Sequence, residues 1–156
     1  MQGFGLLVLR LVFGLTFVVR GLPKLVPVWG MTPRETAALF ETAGVTPPYP
    51  IAVGTGLVEL FAGALLLAGA YTFWSSMLLT VTTAVIAWKL YLPHGFFLNW
   101  SMTPGTGHGY EHAFVVVGGL VCLMLAGPGL FSFDRRWARA AEARKLSRAV
   151  LRTGKP

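Results

Sequence analysis

Four stretches of this chain, residues 5–23, 51–70, 73–92 and 110–127, run almost unbroken in apolar side chains, and nothing else limits its possible folds so tightly. Each comes close to the ~20 apolar residues that carry a helix across a bilayer core. A backbone in lipid must satisfy its own polar groups, so such stretches are helices. Helices buried in a soluble bundle would still show a polar face, and these show almost none. The 156 residues are 54% hydrophobic and only 12% charged. About half the chain lies in the four runs, leaving no room for an ordinary soluble domain beside them. The expected fold is all-α, an integral membrane four-helix bundle over residues 1–134, with a basic tail over 135–156.

Helix-breaking residues mark the ends of the runs. Pro23 and Pro27 close the first, Pro47, Pro48 and Pro50 open the second, Pro93 ends the third, and Gly127-Pro128-Gly129 ends the fourth. In the first long connection, Thr32-Pro33-Arg34-Glu35 spells a cap, a proline at the first helical position and an acid at the third. A short helix to about Ala43 is expected there, laid on the membrane surface by Ala37, Ala38, Leu39 and Phe40. Residues 94–109 hold too many Gly, Pro and aromatic residues for a helix and read as an ordered cap loop.

Charge sets the expected orientation. From Asp134 onward, eight Lys or Arg face only Asp134 and Glu142, and positive flanks stay cytoplasmic. Four crossings then place both termini in the cytoplasm of a multi-pass protein of the inner (plasma) membrane, with both long loops outside. A basic segment beside a membrane is expected from anionic lipid alone, so nucleic acid is not a predicted partner. The first run lacks a basic start and a small-x-small site and carries Arg10, so it is expected to be retained rather than cleaved. Cys122 is the only cysteine, which excludes dithiol chemistry within the chain and marks Cys122 as a buried packing residue of the fourth span.

An ionisable side chain at bilayer depth costs roughly 3 kcal/mol or more unless paired, so Glu59, near the middle of the second run, is a candidate functional residue. It lies ~12 Å below the outer end of its span at 1.5 Å per residue. Arg10, Phe17 and Lys24 share one face of the first helix; Gly56, Glu59 and Gly63 share one of the second; Glu111, Gly118 and Cys122 repeat the pattern on the fourth. Small residues beside a polar one let two backbones close up while the polar group bonds across.

The stripes point to an outward-opening cluster of Arg20, Lys24, Glu59, Lys89, His94, Asn99, Glu111 and His112, with Arg10 nearer the inner side. One reading makes these residues two clamps, Arg20 with Glu59 and Lys89 with Glu111. The other makes them a headgroup pocket, whose excess of cations favours an anionic or carbonyl-bearing ligand.

Two cofactor spellings were open to this set. His108-Gly-Tyr-Glu111-His112 has the letters of an inverted zinc-protease motif, but His108 belongs to a glycine-rich loop and no third ligand is evident, so no metal is assigned. Haem between His94 and His112, with Arg20 at its propionates, fits the common level of the histidines but lacks paired His deep on two helices, so haem is not the expected cofactor.

Taken in order, Arg10-Leu11-Val12-Phe13-Gly14, Arg20-Gly21-Leu22-Pro23-Lys24, Gly56-Leu57-Val58-Glu59-Leu60-Phe61-Ala62-Gly63, His94-Gly95-Phe96-Phe97, Gly109-Tyr110-Glu111 and Gly127-Pro128-Gly129 to Asp134 resemble the DoxX family. The likeness spans Leu6 to Asp134 and departs where Arg20 stands in place of the family's frequent His. It implies a four-helix membrane protein related to the DoxD subunit of thiosulfate:quinone oxidoreductase and to small membrane partners of redox enzymes. It also implies that Arg10, Lys24, Glu59, His94 and Glu111 are the family's polar positions.

The expected function is then the membrane subunit of a quinone-linked oxidoreductase, with no covalent cofactor of its own and electrons delivered by a redox protein partner. Lys89 or Arg20 would polarise a carbonyl, and Glu59 or Glu111 would supply a proton through His112. The alternatives are a non-catalytic anchor or assembly subunit of a redox complex and a small transporter, which without an inverted repeat would call for a homo-oligomer.

Overall fold

The computed structural model describes the backbone of residues 2–153 and the side chains of residues 3–148; the end of the expected tail, from residue 154, lies outside the described residues. Among the described residues there are six α-helices: α1 (Gln2–Gly21), α2 (Pro33–Thr42), α3 (Pro48–Ala68), α4 (Thr72–Ile86), α5 (Glu111–Ala126) and α6 (Phe133–Thr153). They contain no named strand, and the one extended pairing is an isolated bridge between Val28 and Met31. Three continuous helical stretches, Gly3–Lys24, Pro48–Ala68 and Thr72–His94, are long and apolar enough to cross a membrane. The fourth apolar helix, α5, has 16 residues. At 1.5 Å per residue it reaches ~24 Å, less than the ~30 Å hydrocarbon core. The chain is thus an all-helical, multi-pass membrane protein.

Local chemistry sets the helix limits. α1 tightens into a 3-10 turn at Leu22–Lys24, with Pro23 in its first positions. Thr32 and Glu35 form the expected reciprocal cap of α2: the Thr32 N–H donates to Glu35 Oε2 at 2.7 Å and the Glu35 N–H to Thr32 Oγ1 at 3.3 Å. α3 stops at Gly69, whose left-handed φ of +67° carries its N–H back to the Leu65 and Leu66 carbonyls. α4 does not end cleanly. It widens into a π turn at Ala87–Tyr91 and then narrows to a 3-10 turn at Leu92–His94, where Pro93 has no N–H to continue the ladder.

α1 packs along α3, α3 against α4, and α4 against α5, while α5 touches α1 more lightly. The α1–α3 seam is a glycine contact made twice, one heptad apart. A Cβ on Gly21 would lie 2.8 Å from the Gly56 carbonyl oxygen, and one on Gly63 would lie 2.9 Å from that of Gly14. Lipid tails are as apolar as leucine, so this backbone-to-backbone fit, rather than escape from water, holds the two helices together. Inside the ring, Phe13 and Phe17 of α1 meet Leu66 of α3, Leu79 of α4, and Leu120 and Leu123 of α5. Phe61, Trp74, Val81, Phe114 and Leu125 face outward, as a lipid-facing wall would.

α2 packs onto the bundle: Ala37 and Phe40 are buried against Ala52 of α3 and Ile86 of α4, so α2 roofs the ends of those helices. Two expectations for α5 are corrected here. Cys122 is exposed rather than buried, and Gly118 has no neighbour within 4 Å of a Cβ position. The inward positions of α5 are Ala113, Val116, Leu120 and Leu123, so the expected Glu111, Gly118 and Cys122 face is not the packed one.

Candidate functional site

The ends of α1 and α4 and the starts of α3 and α5 form one end of the molecule, here the loop end. Below that end, at the middle of α3, Glu59 is 1% exposed and its Oε2 lies 2.6 Å from Lys24 Nζ, the one ion pair within 4 Å among the described residues. The glycine seam dictates this partner. Gly56 precedes Glu59 by about one turn, and Lys24 Cβ sits only 2.6 Å from where a Gly56 Cβ would be, so the ammonium drops onto the carboxylate. The Lys24 side chain is itself 12% exposed.

The expected Arg20–Glu59 pair is therefore not formed. Arg20 turns to α5 instead, where its Nη1 lies 3.3 Å from His112 Nε2. A guanidinium has only donors, so His112 accepts through Nε2 and, as neutral imidazole, carries its proton on Nδ1. Nor do Lys89 and Glu111 pair. Lys89 projects from the π turn, exposed, with its ammonium 5.3 Å from the Trp88 ring centre. Glu111 Oε2 instead accepts from the Leu98 N–H at 3.2 Å and ties the 94–109 loop to the start of α5.

Asn99 builds that loop. Its Nδ2 donates to the carbonyls of Thr103 (3.0 Å) and Thr106 (2.9 Å), and its Oδ1 accepts from the Thr103 N–H. His108 Nδ1 accepts from the Asn99 N–H at 3.4 Å, and the His94 ring packs against Gly107, where a Cβ would collide with it. His108 and His112, paired in the zinc-like spelling, serve different partners.

Arg10 lies at the far end of α1. It is 2% exposed, with Nη1 donating to the Pro128 carbonyl at 2.8 Å and Nη2 to that of Phe131 at 3.2 Å. Gly69, bare of a side chain, gives the guanidinium its space. Beside it the Asp134 carboxylate accepts from the N–H groups of Tyr71 (2.7 Å) and Thr72 (2.8 Å), capping α4.

The eight residues expected in one cluster are thus divided. Lys24 with Glu59 and Arg20 with His112 form two separate pairs, and Arg20 and Lys24 line a cleft of about 310 Å³ between α1, α2 and the π turn of α4. Its walls are mainly apolar, among them Trp29, Phe40, Ile86 and Leu90. Across Leu90 and Tyr91 a second cleft, of about 630 Å³, holds Lys89 and His94 together with His108. Asn99 and Glu111 shape the loop between. The residues missed from sequence are those of α2 and its approach, such as Trp29, Thr36 and Phe40; the buried spacing of Thr36, Ala37 and Phe40 was the available signal.

The family model described as DoxX matches residues 5–92 of this chain. The chain is also 30% identical over 138 residues to the uncharacterized membrane protein Rv3486 of Mycobacterium tuberculosis, an alignment covering 86% of this chain and 82% of that protein. No solved structure matches it.

Proposed function

Because the chain belongs to the DoxX family, we propose that it is the membrane subunit of a quinone-linked oxidoreductase of the thiosulfate:quinone oxidoreductase type, with the headgroup in the first cleft. In this reading α1, α3, α4 and α5 cross the inner membrane as a four-helix bundle, both termini are cytoplasmic and the loop end faces outward. The observation that carries it is a buried acid, Glu59, paired with Lys24, whose side chain lines an apolar cleft beside Arg20.

A ring with two carbonyls needs apolar walls and a few placed donors. Phe40, Ile86 and Leu90 supply walls, and Arg20 and Lys24 supply donors. A quinone, when bound, takes up two electrons and two protons. The electrons come from a redox protein partner. Arg20, held by His112, polarises a carbonyl and stays protonated. Lys24 would hand over one proton, with Glu59 fixing its ammonium in place and balancing its charge, and Tyr91, which lines the same cleft, would supply the second; both would regain their protons from water at the loop end. These roles replace those expected for Lys89 and Glu111, which serve the second cleft and the loop.

Titrating the purified protein with a soluble quinone analogue tests this. Lys24→Met should weaken binding at least about tenfold, the value of one charge-assisted hydrogen bond, and Glu59→Gln should lower turnover with the electron-donating partner. Unchanged affinity and turnover in both variants would end the proposal. The assembly-subunit reading draws on the same pair as a clamp across the glycine seam. Under it, Glu59→Gln reduces the amount of assembled complex while turnover per complex stays at the wild-type value.

A further inference from the structure

We infer that the second cleft at the loop end is an anion site for a phosphate group, a proposal that does not depend on what the first cleft holds. Its polar lining comprises Lys89, Tyr91, His94, His108 and Thr42, and no carboxylate lines it among the described residues. A lined space with one permanent cation, two imidazoles and no acid favours negative charge. His108 Nδ1 is occupied by the Asn99 N–H, so a neutral His108 carries its hydrogen on Nε2, as a donor. Lys89 has no ion-pair partner within 4 Å among the described residues, and brings three N–H donors as a point charge suited to phosphate. Gly107 removes the side chain that would push the His94 ring aside.

The π turn of α4 at Ala87–Tyr91 supplies part of this lining: Lys89 lines the second cleft, and Leu90 and Tyr91 line both clefts. The space, about 630 Å³, exceeds a lone phosphate and leaves room for an ester substituent. Lys89 stands beside the exposed Trp88 near the end of an apolar helix, the level at which phospholipid phosphates and aromatic belts lie. The phosphate could belong to an anionic lipid headgroup or to a soluble ion or ester.

The experiment uses the full-length protein in detergent. Phosphatidylglycerol retention is followed by native mass spectrometry, with phosphatidylcholine as the control and inorganic phosphate as the soluble probe. Wild-type protein should retain phosphatidylglycerol over phosphatidylcholine or bind inorganic phosphate. Lys89→Met should weaken that binding about tenfold, consistent with loss of one charged hydrogen bond, and Lys89→Met with His108→Ala should weaken it further. Phosphatidylglycerol retained against excess inorganic phosphate identifies a lipid; displacement by phosphate identifies the soluble source. Both residues are exposed, so helicity and the unfolding temperature should stay at wild-type values. Wild-type protein that takes neither probe, or a double variant that binds as the wild type does, would overturn the inference. Quinone-analogue affinity should be unaltered in both variants, so failure here and failure of the quinone reading are separate results.

Discussion

The two ends of the α1–α3 pair handle buried charge in opposite ways. At the end nearer α6, Arg10 donates only to the carbonyls of Pro128 and Phe131, and Asp134 accepts from the N–H groups of Tyr71 and Thr72. At the loop end, Lys24 meets Glu59 and Arg20 meets His112, side chain to side chain, with both cations lining a cleft. Charges fixed to backbone groups are committed to the fold. Charges fixed to other side chains can exchange partners or protons without unwinding a helix, which is the freedom the proposed function needs.

The contrast breaks first at Arg10. Arg10→Met removes two buried charge-assisted hydrogen bonds, to the Pro128 and Phe131 carbonyls, and should cost about 3 kcal/mol or more. Thermal unfolding in detergent reads this as a large loss, with no change in quinone-analogue affinity per folded molecule. Asp134→Ala should follow at about 2 kcal/mol, since two charge-assisted caps on the first turn of α4 disappear. A loss under about 0.5 kcal/mol, the size of an ordinary surface change, would show that the cap is ornamental. At the loop end, His112→Phe should cost at most about 1 kcal/mol, one exposed hydrogen bond, yet change analogue affinity by freeing Arg20. If instead stability falls as far as for Arg10→Met, the two ends are alike and the distinction drawn here is wrong.

The positions of the apolar helices were legible because hydropathy runs and prolines act locally, each boundary having its own cause in the chain. The α2 cap was legible for the same reason: Thr32 and Glu35 are three residues apart and need no tertiary knowledge. Glu59 as a buried acid was also readable, since hydrocarbon leaves it no other stable place. Its partner was not. Choosing Lys24 over Arg20 depends on how closely α1 and α3 approach at Gly21 and Gly56, a distance that sequence spacing does not encode. Cys122 was misplaced because α5 is apolar all round and offers no polar face to fix its rotation. The split into two clefts escaped notice because the π turn at Ala87–Tyr91 has no motif of its own.

The doubled glycine contact brings α1 and α3 backbone to backbone, whereas α5 touches α1 only lightly. The Arg20–His112 bond crosses that lighter contact like a latch. In the proposed function, opening that bond would free Arg20 and admit a hydrophobic molecule sideways from the lipid rather than down from the water.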